Sequence, residues 1–178
     1  MKRIAVCLLV AACTKEPPPL VATAASASAS STGIEVGKPA PDFSVTSADG
    51  TKLALAELKG KYVVLYFYPK DETPGCTTEA CSFRDSFEAM SKKAVLIGVS
   101  ADDDASHKAF ADHHKLPFHL VSDPKNDLGK KFGVPFGEKF PNVHARQTFV
   151  IDPQGNVQNI HRTVDVTKHA SEVLSELH

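Results

Sequence analysis

The sequence predicts an α/β sandwich in which a central mixed β-sheet is flanked by helices, and three observations carry that expectation. Two uninterrupted apolar runs, "YVVLYFY" at 62–68 and "AVLIGVS" at 94–100, enclose a segment with helical spacing. Two further segments, "QTFVID" and "NVQNIHRTV", flank the turn "PQGN", and the chain closes on a stretch whose apolar residues fall on one helical face. Continuous β-branched and aromatic runs suit strands covered on both faces, because a strand with one wet face would alternate.

Between the two runs, Ala80, Phe83, Phe87 and Met90 recur at helical spacing. Strand, helix and strand of this length imply a parallel, right-handed crossover. A second helix is expected over 105–115, then a short strand at "FHLVS" and a short helix near 126–132. The segments around "PQGN" read as an antiparallel hairpin. Thr167 to Leu177 reads as a closing helix that places Ala170, Val173, Leu174 and Leu177 together. Parallel central strands, an antiparallel hairpin at one edge and helices on both faces describe a thioredoxin-like sandwich.

This globular composition occupies 34–178, about 145 residues, a common size for one core. Upstream, Met1, Lys2 and Arg3 precede "IAVCLLVAA" and then Cys13. A short basic start followed by a run well below the about 20 apolar residues of a spanning helix is the layout of a secretory signal. The residues "VAAC" at 10–13 resemble the bacterial lipobox, which implies a signal peptide of residues 1–12, cleavage before Cys13 and a lipid on that cysteine. An ordinary signal peptide cut a little later fits the same layout. Residues 13–33 contain three consecutive prolines and an Ala/Ser alternation with no period of large apolar groups, so they read as a flexible tether. Some 20 such residues reach roughly 25 Å. The domain is therefore expected to be exported, membrane-anchored through its lipid, and held in the periplasm.

Charge excludes some partners. Twenty Lys and Arg face 21 Asp and Glu, interspersed along the chain, so nothing draws nucleic acid. Eight histidines are present, but no H-x3-H or C-x2-C ligand pair. His113 and His114 lie in a polar helical segment, where adjacent residues point to different faces, so a solvated helix face is expected there. No metal and no cofactor are expected.

If Cys7 leaves with the signal and Cys13 carries a lipid, Cys76 and Cys81 remain for chemistry. Two thiols do not make a disulfide scaffold. Thr73 before Pro74 reads as a helix start, threonine as cap and proline at the first helical position. Cys76 then falls in the first turn, where unpaired N–H groups and the positive end of the helix dipole favour a thiolate. Cys76 shares the Ala80, Phe83 and Phe87 stripe, and Cys81 lies about 140° round the helix. Their Cα atoms would be about 8–9 Å apart, beyond the about 7 Å limit for a disulfide. Two readings follow: a pair that bonds only when the helix start unwinds during a reaction cycle, or an inert buried Cys76 beside a stray surface Cys81.

The stretches "YFYPKDETPGCTTEACSFRDSF", "GVSADDDASHKAF", "LPFHLVSDPKN" and "RQTFVID" together closely resemble the peroxiredoxins, in the bacterioferritin comigratory protein and peroxiredoxin Q subfamily. The likeness runs over roughly residues 35–177 and includes the P-x-x-x-T-x-x-C signature as Pro69, Thr73 and Cys76. It implies a thiol-dependent peroxidase that reduces hydrogen peroxide and organic hydroperoxides. By position, Cys76 would be the peroxidatic cysteine, oxidised to a sulfenic acid, and Cys81 the resolving cysteine that closes an intramolecular disulfide. Arg146 would hold the thiolate and the peroxide, Thr73 would orient the peroxide, and Glu79 and Pro69 would support the site, the proline shielding it. A thioredoxin-like dithiol would regenerate the thiols, and the subfamily resemblance favours a monomer. The chief departure is "PFGEKFPNVHA" at 135–145. Two other classes are an exported dithiol-disulfide oxidoreductase, which would want C-x-x-C, and a metal-handling thioredoxin-like protein, which would want C-x3-C with a nearby histidine; the spacing here is C-x4-C.

Overall fold

The computed structural model describes residues 33–138 and 141–178. The expected signal of residues 1–12 and nearly all of the expected tether, Cys13 included, lie outside the described residues. Seven strands and four α-helices follow in order: β1 (Ser44–Thr46), β2 (Lys52–Ala54), β3 (Tyr62–Phe67), α1 (Pro74–Ser91), β4 (Ala94–Ser100), α2 (Asp104–His114), β5 (His119–Ser122), α3 (Asp127–Lys131), β6 (Gln147–Ile151), β7 (Val157–His161) and α4 (His169–Glu176). The main sheet runs β5-β4-β3-β6-β7, parallel among β5, β4 and β3 and antiparallel through β6 and β7. This is the mixed thioredoxin-like sheet that the apolar runs predict.

The two-residue period of β3 explains why its run shows no alternation. Val63, Leu65 and Phe67 enter a core with Phe43, Leu53, Leu128, Phe132 and Phe149, beneath the β1–β2 hairpin and α3. Val64, Tyr66 and Tyr68 enter a second core with Ala80, Phe83, Met90, Phe110 and Val173, beneath α1, α2 and α4. Both faces are covered, so both sets must be apolar. Gly98 of β4 pairs with Tyr66 of β3. A Cβ at Gly98 would stand 2.7 Å from the Tyr66 ring, so only glycine lets that ring lie over the sheet.

The β1–β2 hairpin is absent from the sequence expectation. Its strands are three residues long with one residue fully buried, too short for a period to show, although "DG" stands between them.

Antiparallel pairing sets Phe67 at the end of β3 opposite Gln147 at the start of β6. The loop from β3 into α1 and the residue preceding β6 therefore meet at the carboxyl end of the parallel strands, where α/β sheets place their sites.

Candidate active site

Helix α1 begins as the sequence predicts, with Thr73 extended at the cap position and Pro74 at the first helical residue. The Thr73 side chain makes no cap bond. Its hydroxyl donates instead to the Lys70 carbonyl, 2.9 Å away. Pro74 has no N–H to satisfy, and with no side-chain cap the Gly75 and Cys76 N–H groups of the first turn are left without an intrahelical partner.

Cys76 is buried, and Arg146 Nη2 donates to its sulfur over 3.1 Å. Glu79, one turn along α1 and fully buried, accepts from Nη1 of the same guanidinium. One planar fork thus holds the sulfur and the carboxylate through two separate nitrogens in a fixed geometry. Burial pushes the Glu79 carboxyl up to about 7, with the Arg146 charge acting against it. Burial works against the Arg146 charge, but Glu79 and Cys76 outweigh it and the guanidinium is held above its ordinary value. Behind them His169 Nε2 donates to or accepts from Thr148 Oγ1 at 2.8 Å and stands 3.9 Å from Glu79 Oε1. Its own burial, then the charges of His161 and Arg146, lower its pKa to about 4, so it is neutral at pH 7.

The structure therefore brings Cys76, Glu79 and Arg146 together. It does not bring Cys81 to Cys76: both are free thiols on one continuous helix, and Cys81 is half-buried with Arg84 Nη1 3.5 Å from its sulfur. Pro69 lines a cleft of about 220 Å3 with Lys70, Ala101, Asp102 and residues 141–143, on the side of the 135–145 segment.

Two features beside the site are invisible to sequence reasoning. Asp71, in the loop before α1, accepts from Tyr68 Oη at 2.7 Å and Ser106 Oγ at 2.8 Å, and meets buried His107 Nδ1 at 2.9 Å. Burial favours its neutral form, but the hydrogen bonds from His107 and Tyr68 outweigh it and hold the carboxyl below its ordinary value. Its backbone N–H donates to Asp102, so the loop is fastened to the ends of β4 and α2. The second feature concerns His113 and His114: His113 is exposed, as a solvated helix face requires, but the two adjacent side chains do not diverge. Both reach one carboxylate, that of Glu72: His113 Nδ1 lies 3.0 Å from Oε1 and His114 Nε2 2.9 Å from Oε2. The end of α2, with Lys115 left-handed at φ 56°, and Glu72, at φ 57°, present the three side chains to one another. Helical angle alone could not foresee a partner 41 residues away.

The AhpC/TSA family profile matches residues 36–160. The chloroplastic peroxiredoxin Q of Triticum aestivum is 49% identical over 153 residues, covering 82% of this chain and 70% of the relative. Peroxiredoxin Bcp of Bacillus subtilis is 45% identical over 150 residues, covering 81% and 95%. Among solved structures, a Xanthomonas campestris bacterioferritin comigratory protein, described for its alkyl peroxide reduction activity, superposes with a TM-score of 0.68 at 34% identity, over 76% of this chain and 89% of that one.

Proposed function

The chain belongs to the AhpC/TSA family as a peroxiredoxin of the Q/Bcp kind, a thiol-dependent peroxidase, and from that premise we propose that Cys76 meets the hydroperoxide and Cys81 resolves the product. The carrying observation is the Arg146 guanidinium on the buried Cys76 sulfur, with Glu79 holding its other arm. The Cys76 sulfur attacks the O–O bond, becomes a sulfenic acid and releases water or an alcohol, with Arg146 and the first N–H groups of α1 facing the departing oxygen. Thr73 orients the peroxide, and Pro69 shields the sulfur from the cleft side. Local unwinding of α1 brings the Cys81 thiol to the sulfenic acid, water leaves and a disulfide forms. A thioredoxin-like dithiol reduces it by exchange.

Hydrogen peroxide and organic hydroperoxides are the substrates of this reading, and the Xanthomonas relative supports the latter. The protein acts as a monomer. Residues 1–12 are a signal peptide, Cys13 carries lipid, and residues 13–33 tether the domain of residues 34–178 in the periplasm, a reading that rests on the basic start and "VAAC". Palmitate labelling that is lost in Cys13→Ser is the expected result; equal labelling of that variant would reject the anchor.

Intact mass after one equivalent of hydrogen peroxide tests the cycle. The reduced protein should lose two hydrogens, mapped to a Cys76–Cys81 bond. Cys81→Ser should consume a first equivalent to the sulfenic acid, stop turning over, and over-oxidise at Cys76 when further peroxide is added; sustained turnover with a dithiol donor in that variant would overturn the assignment.

A further inference from the structure

The Glu72, His113 and His114 cluster lies outside the machinery described above. Its three ligand atoms fall within 4.8 Å of one another. The two imidazole rings are 4.3 Å apart between centroids and inclined at only 36°, both edged toward the carboxylate. Two imidazoles and one carboxylate are a ligand set that zinc takes in open sites, with water in the fourth place. With bonds of about 2.0–2.1 Å, tetrahedral ligand atoms stand about 3.4 Å apart. The N–O separations of 3.0 and 2.9 Å are close to that and all three ligand atoms lie within 4.8 Å, so an ion would be seated by adjustment of the exposed Glu72 and His113 side chains. Glu72 and His113 side chains are 48% and 69% exposed, which leaves the approach open. His114 is the more fixed ligand, at 17% exposed, and its carbonyl accepts from Arg84 Nη1 at 2.8 Å.

The alternative is a surface hydrogen-bonded cluster, with one imidazole on each oxygen of the carboxylate. What favours an ion is the ligand set itself: two imidazole nitrogens and a carboxylate oxygen within 4.8 Å of one another, with the approach open. We propose that Glu72, His113 and His114 bind a divalent transition ion of the zinc class, with water completing the coordination.

The position of the site gives the ion a consequence, which rests on the proposed cycle. Glu72 stands immediately before Thr73 and the start of α1, and Arg84 stands three residues beyond Cys81. Both are held at the end of α2, Glu72 by the imidazoles and Arg84 by the His114 carbonyl. The segment that must unwind to join Cys76 and Cys81 is therefore fastened at both ends to one helix terminus. A bound ion tightens the first of those fastenings and slows resolution of the sulfenic acid.

Zinc titration by calorimetry tests the site in the full chain with all four cysteines replaced by serine, so that no thiolate competes for the ion. One equivalent should bind, and His113→Gln/His114→Gln and Glu72→Gln should each weaken it by at least about 100-fold, since even outer partners of a ligand cost about 10- to 100-fold. No saturable zinc, or equal binding in both variants with unchanged circular dichroism, would overturn the site. In the protein with its native cysteines, zinc should slow Cys76–Cys81 bond formation several-fold more than in His113→Gln/His114→Gln, any thiolate binding being common to both. Equal slowing would overturn the consequence and leave the binding result to decide the site. Failure of the disulfide to form without zinc would count against the peroxidase cycle instead.

Discussion

At the scale of single residues, Arg146 serves two partners that make different demands. It neutralises a fully buried carboxylate and it donates to the sulfur. Substituting it should therefore fail in two separable ways. Above about pH 7, where a carboxyl raised to about 7 is charged, Arg146→Met leaves Glu79 buried without its partner, which costs up to about 3–5 kcal/mol and less as the carboxyl takes up a proton. It also removes a donor aimed at charge developing in the reaction, worth about 10²–10³ in rate. Adding Glu79→Gln removes the stranded charge, so the double variant should regain most of its urea stability while the stopped-flow peroxide rate stays low. A double variant as unstable as Arg146→Met would mean that the pair is not what holds this region together. The motif around Cys76 and the arginine of "RQTF" were legible because they are local strings that match a family. Their meeting was not, since residues 70 apart are joined only by the Phe67–Gln147 register, which no periodicity reveals.

At the scale of elements, β3 and β4 could be read from the sequence because burial on both faces leaves long apolar runs, β6 and β7 from the turn between them, and helices α1 and α4 because their apolar residues recur with the turn. The β1–β2 hairpin escaped because each strand buries at most one side chain fully. Helix α1 carries a further demand: it must be stable enough to hold Cys76 against Arg146 and weak enough at its start to release it. Thr78 lies in that first stretch, exposed, with its hydroxyl bonded to the Pro74 carbonyl at 2.9 Å. Such back-bonding slightly destabilises a helix, and threonine is a poorer helix former than alanine by up to about 0.7 kcal/mol. Thr78→Ala should therefore slow the sulfenic-acid-to-disulfide step about two- to threefold, with the first peroxide reaction unchanged and more over-oxidised Cys76 at high peroxide. Mass spectrometry on a quench-flow series would read both steps. An unchanged second step would mean that unwinding is not limited by this turn.

At the scale of the whole molecule, Glu79 on α1, His169 on α4 and Thr148 on β6 join the closing helix to the sheet and to the active site. The two titratable groups respond to pH in opposite senses. Glu79 is raised from 4.5 to about 7, mainly by burial, so the folded state holds a proton more tightly than the unfolded chain. Its contribution is complete below about pH 4.5 and is lost as pH rises to about 7. His169 is lowered from 6.5 to about 4, again mainly by burial, so the unfolded chain binds the proton more tightly. Its contribution is complete above about pH 6.5 and is lost as pH falls to about 4. Asp71 and Asp123, both held below 3.8, act mainly beneath this window. Between about pH 4.5 and 6.5 the two slopes oppose each other, so the wild-type urea midpoint should vary little. Glu79→Gln should expose the histidine slope, with stability rising from about pH 4 to 6.5; His169→Asn should expose the carboxyl slope, with stability falling from about pH 4.5 to 7. The comparison depends on the shape of each curve against pH rather than on its height, so a general loss of packing in either variant would lower the midpoint without imitating the result. Curves parallel to the wild type in both variants would show that neither group changes its proton affinity on folding, and that the contact between α4 and α1 is held by apolar packing alone.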